Sequence, residues 1–247
     1  MGARLITAAL LLTLGATSVR AEPLRIAVAG NFLPVLERLA PDFEADHGHR
    51  LRLSSASTGR LYAQIRQGAP FDVFLAADVT RPERLEQDGL AVPGTRRSYA
   101  RGRLALWAPD AVPGEDPFER LAGTPRPSLA IANPRLAPFG AAAEATLRTA
   151  GLWSRYEHEV LRGESIAQAF HFVATGNADL GLVALSQLRL SATHTAGSWR
   201  AVPAEDHPPI EQQAVLLRDT QTGRAFLAWL LSERVQDRLR TFGYDPP

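Results

Sequence analysis

Short apolar runs alternate along this chain with stretches in which apolar positions recur every three or four residues, the pattern of buried strands followed by amphipathic helices. Leu24–Ala29 reads as a first strand, Gly30-Asn31 as a turn, and Leu33, Leu36, Leu39 and Phe43 as the buried stripe of a helix capped by Gly48. Pro41 lies within that helix and predicts a kink or a break, since its ring removes a hydrogen bond to residue 37. Residues 50–54 make a second strand, Ser55 to Gly59 a hydroxyl-rich turn, and Leu61, Tyr62 and Ile65 the face of a helix closed by Gly68. A third strand covers 73–77, and a helix from Thr80, with Pro82 in its first turn, ends at Gly89. Strand and helix in alternation predict a mainly parallel sheet covered on both faces.

Over residues 96–109 the alternation of Tyr99, Leu104 and Leu106 reads as one longer strand that crosses into a second lobe, where the pattern starts afresh. Asp116-Pro117 opens a short helix, 128–132 is a strand, 133–139 a loop, and 140–149 an alanine-rich helix capped by Gly151. A helix from Glu164-Ser165 ends near Gly176, and 180–185 is an apolar strand. Pro208-Pro209 divides two extended runs, and the alternating segment 210–217 brings the chain back to the first lobe. Two helices close the chain over 222–231 and 232–242, with Ser232 as N-cap and Gly243 as stop. The division expected is 22–99 for lobe I, 100–209 for lobe II and 210–247 for the return, with a hinge near Tyr99 and Ile210.

The first 21 residues do not belong to that pattern. Arg4, an apolar run over 5–17 and the ending Val19-Arg20-Ala21 form a secretory signal peptide cut after Ala21, the run being shorter than the roughly 20 residues a bilayer span needs. Its removal takes away two arginines and no acids, so the formal net charge moves from +1 to about −1 and leaves no basic field for nucleic acid. With 0 cysteines there is neither a lipid anchor nor a disulfide, and the exported chain relies on its core.

Candidate chemistry gathers where strands or loops meet helices: Gly30-Asn31, Ser57-Thr58-Gly59, Pro138-Phe139-Gly140 and Glu164-Ser165-Ile166. In parallel α/β sheets ligands collect beyond the carboxyl ends of the strands, and a helix start presents unpaired N–H groups with partial positive charge. Four such turns would offer main-chain N–H groups, one amide and several hydroxyls with little fixed charge, a set suited to a deprotonated oxyanion. Each alone is an ordinary cap. His47-Gly48-His49 has a metal-like look without a third ligand nearby, and His158 and His171 fit surface or core positions. Asp72 and Asp78 fit capping or sheet-end roles, Arg60 either approaches an anion or points to solvent, and Glu164 is the one acid or base within the four turns.

The runs AVAGNF at 27–32, SSASTGRLYAQIRQGAPFDVFLAAD at 54–78, IANPRLAPFGAAAEATL at 131–147, GESIAQAFHFVATGNADLGLVALSQ at 163–187 and TFGY at 241–244 resemble the periplasmic molybdate-binding proteins of ABC transporters, over essentially the whole chain after residue 21. The resemblance implies a two-lobed type II binding-protein fold, each lobe a mainly parallel sheet flanked by helices, joined by two crossing strands. It also implies a periplasmic, non-enzymatic monomer that holds molybdate or tungstate without cofactor or metal ion and delivers it to a membrane permease. Residue by residue, Asn31 falls on the contact after the first strand, and Thr58 on a hydroxyl contact with Ser57 as the alternative register. Phe139 and Ile166 fall on positions whose main-chain N–H groups face the ligand, and Gly30 where relatives often carry a small hydroxyl residue. Two departures stand out: Phe139 replaces the tyrosine of an APYG run, removing a hydroxyl that could donate to the anion, and Ala184 replaces a tyrosine found in another branch. Competing expectations are a different oxyanion, such as sulfate, or an enzyme acting on a small carboxylic acid.

Overall fold

The structure, a computed structural model, describes residues 22–112, 114–191 and 196–247, so the expected signal peptide lies outside the described residues. Lobe I begins β1 (Leu24–Ala29), α1 (Leu33–His47), β2 (Leu51–Ala56), α2 (Thr58–Arg66), β3 (Val73–Ala76), α3 (Thr80–Gln87) and β4 (Arg97–Gly102). Lobe II follows as β5 (Leu104–Ala108), α4 (Pro117–Ala122), β6 (Leu129–Ala132), α5 (Pro138–Thr149), α6 (Trp153–Tyr156), β7 (Leu161–Gly163), α7 (Ile166–Ala174), β8 (Leu180–Ala184), α8 (Leu185–Leu190) and β9 (Ser198–Ala201). The chain then returns through β10 (Ile210–Leu216), α9 (Gln221–Leu230) and α10 (Glu233–Thr241).

Each lobe is built on one five-stranded sheet, ordered β2-β1-β3-β10-β4 and β7-β6-β8-β5-β9. In both, three parallel strands are followed by one antiparallel strand, β10 or β5, and an edge strand that again runs with the first three. The single long strand expected over 96–109 is two: β4 ends sheet I at Gly102 and β5 enters sheet II at Leu104. Arg103 is the hand-over, and the segment 202–209 carries the chain back.

Strand alternation distributes the cores. Ile26 and Val28 face α1, α9 and α10, where Phe43 meets Phe226 and Trp229 at ring-centroid distances of 5.4 and 5.3 Å. Ala27 and Phe74 face Leu61, Ile65 and Leu85 on the other side. In lobe II, Leu104, Leu106 and Leu182 pack under α5, while Ala105, Trp107 and Val183 pack under α7. Ala29 and Ile210 of sheet I, with Ala77 just beyond β3, belong to the same buried cluster as Phe139 and Ile166, so apolar packing is continuous between the lobes.

Some local expectations change. α1 runs unbroken through Pro41, which lies on its exposed face where water can serve the carbonyl left without a donor. α5 starts at Pro138, a first-turn position that needs no N–H, so Phe139 stands in a helix start and not in a loop. Ser232 occupies the N-cap of α10, yet its hydroxyl donates back to Trp229 O at 2.6 Å, whereas Thr220 caps α9 by accepting from Gly223 N. Gly48 and Gly243 end their helices with φ of 70° and 88°, as stop glycines do. Among the described residues no helix is long and apolar enough to cross a membrane.

Candidate functional site

The four junctions meet between the lobes. Gly59 N donates to Leu136 O across the cleft at 2.9 Å, joining the second turn to the loop before α5. Gly30 lies against the start of α7: a Cβ placed on it would stand 3.7 Å from the Cβ atoms of both Ser165 and Ala167. Ala77 N donates to Thr58 Oγ1 at 3.1 Å, which fixes that hydroxyl oxygen and leaves its proton to donate elsewhere. Ser57 is 3% exposed and its Oγ has no hydrogen-bond partner. It is also the N-cap of α2 without making a side-chain cap bond, so its hydroxyl is aimed elsewhere than the usual helix N–H.

On the lobe II side the polar groups are main chain. Phe139 is the second residue of α5 and Ile166 the first of α7, positions whose N–H groups have no acceptor inside the helix. Their side chains are buried. At α7 the Ser165 hydroxyl and carbonyl serve Gln168 N and Ala169 N, which leaves Ile166 N beyond their reach.

Asn31 does something the sequence did not suggest. Both hydrogens of its Nδ2 are spent inside the protein, on Gln212 Oε1 at 2.9 Å and on Tyr244 Oη at 3.1 Å. Tyr244 Oη donates to Asn31 O at 3.0 Å and lies 3.1 Å from Ser186 Oγ, while Tyr99 Oη donates to Gln212 Oε1 at 3.0 Å. The amide side chain is therefore a structural anchor, and what Asn31 has left to offer is its main-chain N–H, which has no protein acceptor among the described residues. Burial pushes the Tyr244 phenol up to about 12, with its hydrogen bonds to Ser186 and Asn31 and the nearby amide of Gln212 working against it. Burial, reinforced by Tyr244, lifts Tyr99 well above its ordinary value. Both phenols are neutral donors at any physiological pH.

Gln212, Tyr244 and Ser186 were not singled out from the sequence. Gln212 carried a signal, being the polar residue on the inward phase shared by Ile210, Ala214 and Leu216 of β10. Gln187, next to Ser186, donates through Nε2 to Ile166 O at 3.3 Å and so holds the start of α7.

The charged candidates settle at the margins. Arg60 and Glu164 form an ion pair across the lip of the cleft, both more than half exposed. Asp78 Oδ1 caps α3 by accepting from Arg81 N at 3.0 Å and also pairs with the Arg81 guanidinium. Asp72 sits at the other end of sheet I, where Arg25 N, Arg25 Nε and Arg25 Nη2 reach it at 2.8, 3.1 and 3.1 Å and Arg218 Nη1 at 3.3 Å. His47 lies beside the Phe43 ring and His49 Nε2 meets Thr222 Oγ1 at 3.2 Å. No group of three metal-ligating side chains forms among the described residues.

The family described as bacterial extracellular solute-binding protein matches residues 24–245. A molybdate-binding protein of Azotobacter vinelandii is 42% identical over 93% of this chain and 92% of its own length, and one of Rhodobacter capsulatus is 38% identical over 88% and 86%. The solved structure of the Azotobacter vinelandii periplasmic molybdate-binding protein superposes with a TM-score of 0.85 at 37% identity, covering 91% of this chain and 99% of that one.

Proposed function

Since the chain belongs to the bacterial extracellular solute-binding protein family, we propose that it captures molybdate outside the cytoplasm and hands it to the permease of an ABC transporter. Tungstate, of the same shape and charge, is the companion ligand. The observation that carries the reading is the buried Ser57 hydroxyl without a protein partner, set among helix starts from both lobes. A buried polar group left unpaired is costly, and an oxyanion supplies the acceptor it lacks.

In this reading the anion receives the Ser57 hydroxyl, the main-chain N–H groups of Asn31, Phe139 and Ile166, and the proton of Thr58, whose oxygen Ala77 N already holds. Gly30, buried and without a side chain, lets the first turn lie against the start of α7. The protein works as an exported, non-enzymatic monomer after cleavage at Ala21; Glu164, the one acid in the four turns, is committed to Arg60 at the cleft lip. Size selects molybdate over sulfate, because the smaller dianion cannot reach every donor at once. Hydrogen phosphate is disfavoured because its proton finds no free carboxylate.

Thermal unfolding with molybdate, tungstate, sulfate and phosphate tests this. A ligand at about 1,000 times its Kd adds roughly 4 kcal/mol of stability, so molybdate and tungstate should each raise Tm by several degrees. A rise with sulfate alone would overturn the assignment.

A further inference from the structure

The densest set of buried polar groups outside the four junctions lies on the crossing strands, around Gln212. This residue is fully buried, and only one end of its amide is used. Oε1 accepts from Asn31 and Tyr99, whereas Nε2 has no hydrogen-bond partner. Gly102, the last residue of β4, is paired with Ile210 of β10. A Cβ built on Gly102 would stand 3.0 Å from Gln212 Nε2 and 2.6 Å from Cζ of Phe139, the tip of a ring carried by lobe II. Ring tip and unpaired donor thus converge on the place of the Gly102 side chain, over the paired strands β4 and β10, and the absence of that side chain is what admits the ring. Phe139 spans the distance from the helix start at the cleft, where its N–H lies, to the hinge.

We propose that Gln212 is a positioning residue for the anion site, anchoring Asn31 through Oε1 and seating the Phe139 ring tip beside Nε2 when the lobes are together. The proposal rests on the anion-capture reading above. Phe139 belongs to α5 and Gln212 to sheet I, so their contact counts only with the lobes closed, and it governs release of the anion more than its arrival. A ring edge cannot accept the Nε2 hydrogens; a hydroxyl on Cζ can, and would complete the seat.

The test is a double-variant cycle of Phe139→Tyr and Gln212→Met, the methionine keeping length and bulk without the amide. Kd and dissociation rate are measured with molybdate. Phe139→Tyr should slow dissociation by roughly fivefold with little change in association, a modest share of what satisfying a buried donor can yield. Gln212→Met should speed dissociation, and in its background the tyrosine should gain nothing. An equal gain in both backgrounds, or faster dissociation of Phe139→Tyr, overturns the proposal. Should Gln212→Met fail to fold, Phe139→Tyr alone decides, unchanged dissociation counting against. A wild-type chain that binds no molybdate overturns the parent reading and this one with it, whereas uncoupled effects in a chain that does bind overturn this one alone.

Discussion

The two lobes are alike at one end of their sheets and unlike at the other. At the amino ends, an aspartate precedes the central strand of each: Asp72 before β3 accepts from Arg25 N at 2.8 Å, and Asp179 before β8 accepts from Ser128 N at 2.7 Å. At the carboxyl ends lobe I presents buried polar side chains, Asn31, Ser57 and Thr58, while lobe II presents helix starts whose side chains, Phe139 and Ile166, are apolar. One end fastens the sheet and the other faces the proposed anion site. Within the ligand end, lobe I should be vulnerable to side-chain changes and lobe II to changes in the main chain.

The largest effect belongs to the fastening end, where the lobes differ in degree. Burial works to raise the Asp72 carboxyl, but hydrogen bonds from the Arg25 side chain and backbone, with the charges of Arg25 and Arg218, outweigh it and hold it below its ordinary value. Hydrogen bonds from Ser128 hold Asp179 low against a smaller burial effect. A carboxyl depressed in the folded state contributes stability above its unfolded pKa of about 4, and that contribution is lost as pH falls through the lower folded value. Asp72→Ala should cost about 3 kcal/mol at neutral pH, because it removes a buried carboxylate that accepts from Arg25 N and from the partly exposed guanidinium groups of Arg25 and Arg218, and the gap to wild type should close as pH drops below about 4. Asp179→Ala, which removes hydrogen bonds to a serine, should cost about 1 kcal/mol. Urea unfolding of both variants at neutral and acid pH checks the ranking; a larger loss for Asp179 would break the parallel.

At the ligand end, Ile166→Pro removes one N–H at a first-turn position where proline is tolerated, and Ser165 before it is already extended at φ −142° and ψ 166°. Molybdate binding should weaken by about 2 kcal/mol, roughly thirtyfold, while Ile166→Val leaves it near wild type. Equal losses in the two variants would show that the side chain matters and the N–H does not. Ser57→Ala should weaken binding by about 1.5 kcal/mol without lowering the Tm of the ligand-free protein, since it deletes a buried hydroxyl that has no partner to lose. Calorimetric titration beside thermal unfolding separates the two readings, and unchanged affinity would strike Ser57 from the site and leave Thr58 as its hydroxyl contact.

Much of this architecture can be read from residue order, because the strands are short apolar runs and the helices carry apolar stripes stopped by glycine. The hand-over at Arg103 is hidden, since an alternating pattern does not register that a strand has passed from one sheet to another. β7 has three residues, too few for a period, and α8 follows β8 through the apolar pair Ala184-Leu185 with no breaker between. The four turns were legible as places, and the structure brings them together. What each residue does there was less so: Asn31 looked like an amide donor, but its hydrogens go to Gln212 and Tyr244, 181 and 213 residues away. Pairings at that separation have no local signature. The ring of Phe139 likewise points its tip at Gly102 on β4, so under the proposal above the hydroxyl of a tyrosine there would address Gln212 and not the anion.

Gly30 sets the smallest effect and the finest test of the division between lobes. Its φ is not positive, and a Cβ would meet Ser165, Ala167 and Ala56 O only at 3.7 to 3.8 Å, ordinary contact distances. By contrast, a Cβ on Gly140, inside the first turn of α5, would fall 2.3 Å from Ala132 O, so there the main chain admits nothing larger than glycine. Gly30→Ala should therefore stabilise the chain by about 0.5 kcal/mol, through the lower entropy of its unfolded state, with molybdate affinity unchanged. The margin at Gly30 lies between the lobes, so a loss of affinity with Tm preserved would mean that the lobes approach more closely around the anion than they do here. A loss of both would mean that lobe I, like lobe II, depends at this turn on its main chain.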